Sequence, residues 1–247
     1  MKAMRQSLCS THMLAAAGIT LLVIATGLMQ DICTSGRIFF QESVFIHDWV
    51  SYSNSAFSLS ILIWVAPITA AVACSWMFCE DYTTGFLRLK LSRQRLSDYC
   101  TATALEVGFC GGVALAMPFA LWMLLCFLLL RGEADMNFLA QHCLGSGIAY
   151  VLGQTALLFT CGALWALVGL VASTYLINKY AAMTVPMILF LGLTQILIRL
   201  TGNSFYLSDL MNIAAPQSCL VRLAVSVALL LALGLWFWRR CRKVVLR

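Results

Sequence analysis

Residues 101–130 read TATALEVGFCGGVALAMPFALWMLLCFLLL, and the only charged side chain among them is Glu106. A helix of about 20 apolar residues is long enough to cross the hydrocarbon of a bilayer, so this run predicts a transmembrane helix. Five further apolar runs of similar character lie at residues 13–29, 56–78, 144–172, 181–200 and 220–238. The pattern predicts an all-α polytopic membrane protein with six transmembrane helices.

The segments between the six runs are short, and none is long enough to hold an independent soluble fold. Residues 1–247 are therefore expected to form a single transmembrane domain. The first run is too long for the apolar part of a typical secretory signal, and no clear small-x-small cleavage site follows it. We interpret it as a retained span.

The basic residues are distributed unevenly between the two sides of the predicted membrane. Twelve of the sixteen fall in one set of gaps, and basic residues near span ends favour the cytoplasmic side. This predicts cytoplasmic termini and a multi-pass protein of the plasma membrane. Because the basic residues flank spans and form no soluble basic domain, the net charge of +6 does not indicate nucleic-acid binding. The twelve are Lys2, Arg5, Arg88, Lys90, Arg93, Arg95, Lys179, Arg239, Arg240, Arg242, Lys243 and Arg247.

Residue types that often carry catalysis or bind metals are present, but their spacing in the sequence does not match a catalytic or metal-binding motif. No two of the eleven cysteines have the two-residue spacing of a zinc or redox site. The cysteines inside runs are expected to pack as small apolar groups, and Cys9, Cys79, Cys100 and Cys241 to face the cytosol. A disulfide among Cys33, Cys143 and Cys219 is left open. No catalytic triad, carboxylate pair or HExxH arrangement occurs, and no Gly-Lys-Ser or Gly-Lys-Thr phosphate loop is present, so we expect neither an enzyme nor a metal site.

The most distinctive segment is the cytoplasmic gap between the second and third runs, where residues 80–95 read EDYTTGFLRLKLSRQR. One interpretation is a short helix whose apolar side docks into a partner, with Ser92 as the N-cap of the helix that follows. The other is a positively charged loop that only enforces topology. Composition alone favours the loop.

In this segment the chain resembles the permease subunits of ATP-binding-cassette (ABC) transporters of the type 2 exporter class. Their second and third spans are joined by an acid, a glycine, a leucine-rich stretch and a Ser-Arg pair, and six residues match that order. The family often has a proline just before the Ser-Arg pair and a lysine further on, where this chain has Leu91 and Cys100. The matching residues are Glu80, Gly85, Leu87, Leu91, Ser92 and Arg93.

The resemblance implies a coupling segment at residues 79–98 that is seated on a separate cytoplasmic ABC ATPase in a bacterial cytoplasmic membrane. ATP and magnesium would be bound by that ATPase and no cofactor by this chain. A second permease subunit, identical or related, would face this one around a central path lined by the second and fifth spans. The cargo would be an amphipathic or hydrophobic peptide antibiotic, toxin or drug that is exported. The expected docking residues are Glu80, Asp81, Gly85, Leu87, Leu91, Ser92 and Arg93.

Three polar residues lie inside the predicted spans and form a candidate intramembrane site: Glu106, Gln154 and Gln195. An ionisable group within a span is costly, which makes Glu106 a functional candidate, although a position near the cytoplasmic interface would also explain it. The alternative function is an ATPase-independent, ion-coupled transporter or channel that uses Glu106. A non-transporting membrane scaffold or immunity protein is the third hypothesis.

Three further patterns concern the packing of the third run and the character of two outer gaps. Gly108 and Gly112 stand four residues apart in the third run, which would let a neighbouring helix approach closely, and packing within one subunit is favoured over a dimer contact. The outer gap at residues 31–55 carries aromatic residues at helical spacing, which suits either an interfacial helix or an irregular loop. The outer gap at residues 201–219 could dip back into the membrane.

Overall fold

A computed structural model describes residues 11–35, 61–130, 147–201, 211 and 219–245, and all regular structure among these residues is helical. We number the helices in chain order. They are α1 (Thr11–Ser35), α2 (Leu62–Cys74), α3 (Met77–Thr83), α4 (Phe86–Leu91), α5 (Leu96–Leu130), α6 (Gly147–Ser173), α7 (Lys179–Thr201) and α8 (Cys219–Val245).

Several expectations concern residues outside this description. Most of the outer gaps at residues 31–55 and 201–219 lies outside it, as do the side chains of Cys9, Cys33, Cys143 and Cys219. The interfacial helix, the re-entrant segment, the disulfide and the exposure of Cys9 therefore stay predictions.

Five helical stretches are long and apolar enough to cross a membrane. The first predicted span falls in α1, of which Thr11–Gly27 is a further, shorter apolar stretch among the described residues. The described residues therefore form an all-α, multi-pass membrane protein, and the sixth crossing stays a prediction. The five stretches are Leu62–Thr83, Leu96–Leu128, Ile148–Ser173, Lys179–Leu200 and Leu220–Val245.

Several helices extend beyond their apolar runs, and α5 and α8 illustrate this. Helix α5 begins at Leu96, before the run that predicted it, and α8 continues to Val245, past the predicted end at residue 238. Hydrophobicity sets where a span can lie, but backbone hydrogen bonding continues the helix into water. Arg242 and Lys243 in the last turn of α8 favour this extension, because cations interact well with a helix C-terminus and their long side chains reach solvent.

Helix α6 lies at the centre of the bundle, and apolar side chains form one cluster towards each end of it. The cluster near the predicted outer end includes Phe119, Trp165 and Phe190, and the edge of Trp165 meets the ring of Phe190 at 5.5 Å between centroids. The inner cluster includes Phe78 and Phe237, whose rings stand perpendicular at 5.9 Å. The inner cluster also contains Leu87, and Leu91 packs against it, so it contacts the helix between the second and third predicted spans.

Helices α5 and α6 make a close contact through glycines. A Cβ added to Gly162 would stand 2.5 Å from the carbonyl oxygen of Gly111, and one added to Gly112 would stand 2.7 Å from the ring of Phe159. At Gly108 the nearest atoms are 3.9 Å away, which is ordinary contact. Small residues let backbones approach in this way. The close approach is thus made within one chain, and it centres on Gly111 and Gly162 rather than on Gly108.

The cysteines at the predicted cytoplasmic end differ from the sequence-based expectation. Cys79, Cys100 and Cys241 do not face the cytosol but are buried, because the inner ends of α3, α5 and α8 converge there. The cysteines of the spans are buried free thiols, as expected from their apolar character. These are Cys74, Cys110, Cys126 and Cys161.

Candidate functional site

The predicted coupling segment, residues 79–98, includes most of α3, all of α4 and the start of α5, and a turn separates α3 from α4. Helix α3 ends at Thr83, and the backbone N–H and the hydroxyl of Thr84 both donate to the carbonyl oxygen of Glu80, at 3.0 and 2.7 Å. Gly85 follows with a φ of 73°, in the left-handed region. No atom lies within 4 Å of a Cβ built at this position, so the backbone conformation and not space calls for glycine.

Asp81 joins the three helices that meet in this segment. Its Oδ2 accepts a hydrogen bond from Lys90 Nζ of α4 at 2.6 Å and another from the hydroxyl of Tyr99 of α5 at 2.9 Å. The Lys90 ammonium also lies over the Tyr99 ring, 5.6 Å from its centroid. We call Asp81, Lys90 and Tyr99 the Asp81 cluster. It ties α4 to the ends of two candidate spans.

One side of α4 is packed into the bundle. Leu87 is buried, Leu91 is partly buried, and both contact the inner apolar cluster that holds Phe78 and Tyr99. We expected Leu87 and Leu91 to contact a partner. Their burial instead makes them supports for the helix, and Asp81 has the same inward role, since only 14% of its side chain is exposed.

The opposite side of α4 faces away from the bundle. Phe86 and Leu89 are 50% and 60% exposed, and Arg88 between them is exposed. Successive helical residues are rotated by about 100°, so the burial of Leu87 and Leu91 turns these three outwards. We call Phe86, Arg88 and Leu89 the docking face.

The remaining expected docking residues lie in the same part of the coupling segment. All four are exposed, so each is accessible to a partner that approaches the docking face. They are Glu80, Gly85, Ser92 and Arg93.

Ser92 does not cap the following helix as expected. Its backbone N–H donates to the carbonyl oxygen of Arg88 at 3.1 Å, and its hydroxyl donates to that of Leu89 at 2.9 Å. These bonds close α4, because α5 begins only at Leu96.

The sequence did not single out Phe86 and Leu89. The stretch FLRLKL alternates apolar and basic residues, and its leucines look equivalent until the packing of α4 is known. The exposed pair stands three residues apart, whereas the buried pair, Leu87 and Leu91, stands four apart. Either pair suits one face of a helix, so spacing alone could not identify the outward one.

The three polar residues of the candidate intramembrane site are not brought together. Glu106 is half-buried on α5, within a candidate span. Gln154 is fully buried on α6 and donates to the carbonyl oxygen of Met211 at 2.7 Å. Gln195 is exposed on α7. They are therefore three separate polar positions.

The exposed side of α4 has the character of a surface that recognises another molecule, because it combines apolar and basic side chains. Among the described residues, no group of three or more His, Cys, Asp or Glu side chains is placed to hold a metal ion. The segment offers an apolar and basic face of fixed geometry on the side of the predicted cytosol.

Comparison of the chain with protein-family models, with curated proteins and with solved structures finds no match. Its function is therefore inferred from its own residues and geometry.

Proposed function

We propose that this chain is the membrane subunit of an ABC exporter of the type 2 class, and that the docking face binds a separate cytoplasmic ATPase. ATP and magnesium act in that ATPase, and the energy of hydrolysis reaches the spans through the coupling segment. The exported molecule is amphipathic or hydrophobic, because the described spans carry few charged side chains. The resemblance of residues 80–93 to that family's motif supports the proposal.

The observation that carries the proposal is the exposure of Phe86 and Leu89 on a helix fixed to two spans. Burying a large apolar side chain contributes about 1.5–3 kcal/mol, so leaving two such residues half-exposed beyond the spans forgoes a substantial stabilisation. A partner with an apolar groove recovers it. Arg88, between them, would orient a partner that carries carboxylates beside that groove.

The coupling segment is connected to the spans firmly enough to transmit a movement. Its helix α4 is joined to α3 and α5 by the Asp81 cluster and is held from beneath by Leu87. Helix α3 in turn follows α2 through a turn at Ser75, whose hydroxyl donates to the carbonyl oxygen of Ala166 in α6 at 3.0 Å. A displacement of α4 by the ATPase would therefore move α2 and α5 with it.

The path for cargo is proposed to lie along the second and fifth spans. Helices α2 and α7 are neighbours, and the rings of Trp64 and Phe190 meet edge to face at 5.8 Å. Helix α7 exposes Gln195 among large apolar side chains. An amide is poorly placed against lipid tails, so this face suits a second permease subunit with the path between them.

The test is copurification of a soluble ATPase with the tagged chain from its native membranes. Phe86→Ala combined with Leu89→Ala should release the ATPase, since it removes most of the apolar docking face. Leu105→Ala is the matched control, because Leu105 is an exposed leucine within the span of α5. The proposal fails if no ATPase copurifies with the unaltered chain, or if the double variant retains it as well as the control does.

Gly85 gives a second test that leaves the docking side chains in place. Gly85→Ala should weaken coupling, because an L-residue in the left-handed region costs about 1–2 kcal/mol. Gly85→Asn should be milder, since asparagine tolerates this conformation better than most residues with a side chain. ATPase stimulation by cargo in proteoliposomes measures the coupling. Equal loss in both variants would contradict the backbone argument.

Glu106 favours a second candidate function, an ion-coupled transporter without an ATPase. A half-buried carboxyl group within a candidate span is the kind of group that carries protons or ions. This candidate predicts that Glu106→Gln abolishes transport while Gly85→Ala has a mild effect. Transport by the chain alone in proteoliposomes, driven by a proton gradient, would select it. A stable complex that neither transports nor responds to nucleotide would indicate a scaffold or immunity protein.

A further inference from the structure

A second surface at the predicted cytoplasmic end is formed where α8 passes the turn between α6 and α7. A cavity of about 520 Å³ lies there, open to the surroundings, and this volume is within the range of small-molecule sites. Its lining residues come from one face of α8 and from that turn. They are Tyr175, Ala232, Leu235, Trp236, Arg239, Arg240 and Lys243.

The side chains that line the cavity change along α8 from apolar to positively charged. Ala232 and Leu235 line the end nearer the middle of the span, and Arg239, Arg240 and Lys243 line the end nearer the cytoplasm. From Ala232 to Lys243 the helix rises roughly 16 Å. No carboxylate lines it among the described residues, so its positive charge is not neutralised locally.

The cationic end is held in place by aromatic contacts. The guanidinium carbon of Arg240 lies 4.1 Å from the centroid of the Tyr175 ring. Trp236 Nε1 donates to the Tyr175 hydroxyl at 3.1 Å, which leaves that hydroxyl's own hydrogen able to point at a ligand. Arg240 Nε is buried and makes no hydrogen bond within the described part of the chain.

We propose that this cavity, which we call the α8 cavity, binds an anionic phospholipid of the cytoplasmic leaflet. The phosphate would lie against Arg239, Arg240 and Lys243, and an acyl chain would follow Leu235 and Ala232 along α8. A free phosphate would use only the cationic end, whereas the apolar end and the position at the membrane surface match a lipid. Basic pockets on the cytoplasmic side of membrane helices bind anionic headgroups in this way. Such binding requires membrane insertion but does not depend on transport.

The test measures phospholipid binding to the purified chain by native mass spectrometry, with phosphatidylglycerol compared with phosphatidylcholine. Arg240→Gln combined with Lys243→Gln should weaken phosphatidylglycerol binding by about tenfold or more, because each basic residue near a membrane surface contributes to anionic lipid binding. The control is Arg242→Gln combined with Lys179→Gln, which removes the same charge outside the cavity. Arg240→Lys, which keeps the charge but loses the flat contact with Tyr175, should give an intermediate loss.

Each result decides the proposal. Selective loss in the cavity variant, with the control unchanged and both variants equally stable to heat in phosphatidylcholine, supports it. Equal loss in both double variants would show a diffuse effect of charge and overturn it. Displacement of the lipid by millimolar inorganic phosphate would overturn the choice of a lipid and indicate an anion site. Equal binding of phosphatidylglycerol and phosphatidylcholine would also overturn it.

Discussion

The Asp81 cluster gives the sharpest test of how the coupling segment is held. Asp81→Ala removes the acceptor of two hydrogen bonds, from Lys90 at 2.6 Å and from Tyr99 at 2.9 Å. Bonds to a charged group contribute about 1.5–3 kcal/mol when shielded, but pairs in water contribute only about 0–1 kcal/mol. Because the Lys90 side chain is 32% exposed and that of Asp81 14%, we expect a combined loss of about 2 kcal/mol.

Hydrogen exchange measured by mass spectrometry reports this loss directly. If the region around α4 opens as a unit, about 2 kcal/mol corresponds to an increase in exchange of roughly 30-fold, since about 1.4 kcal/mol is tenfold. The informative amides are those of Ser92 and Gln94, which donate to the carbonyl oxygens of Arg88 and Lys90. Glu80→Ala removes an exposed acid one residue away and is the matched control.

Two results would refute this reasoning. The first is exchange in Asp81→Ala that is no faster than in Glu80→Ala. The second is a double-mutant cycle of Asp81→Ala with Tyr99→Phe in which the two effects simply add, because residues that share a hydrogen bond should show coupling. Either would mean that the packing of Leu87, and not the Asp81 cluster, holds α4.

Two further predictions concern the bundle itself. Gly111→Ala should destabilise the chain by about 1–3 kcal/mol, because its new methyl group would overlap Ala166, whereas Gly108→Ala should change stability by less than about 0.5 kcal/mol. Thermal unfolding in detergent measures both, and equal midpoints would contradict the close α5–α6 contact. Gln154→Leu should cost about 1–3 kcal/mol by removing the donor to the Met211 carbonyl oxygen, whereas Gln195→Leu should leave stability nearly unchanged in the same assay. An unchanged unfolding midpoint for Gln154→Leu would show that this hydrogen bond does not hold Met211 in place.

The coupling segment illustrates how far the sequence could be interpreted. Gly85 stood out in the sequence, and its left-handed conformation gives a physical reason for a glycine at that position. Ser92 was assigned to the wrong helix, since the start of α5 depends on backbone hydrogen bonds that hydrophobicity does not report. Phe86 and Leu89 were overlooked because an alternating apolar and basic stretch does not reveal which side is covered.

The sequence by itself determined that the chain is helical and multi-pass, because long apolar runs have few other stable forms and the cost of exposing backbone groups to lipid enforces the helix. It also singled out the segment between the second and third spans. Only the tertiary structure decided which side of α4 is buried, that Asp81 points inwards, and that the three polar residues of the spans lie apart. Those properties depend on contacts between residues distant in the chain, such as Asp81 with Tyr99 and Arg240 with Tyr175, which no local pattern encodes.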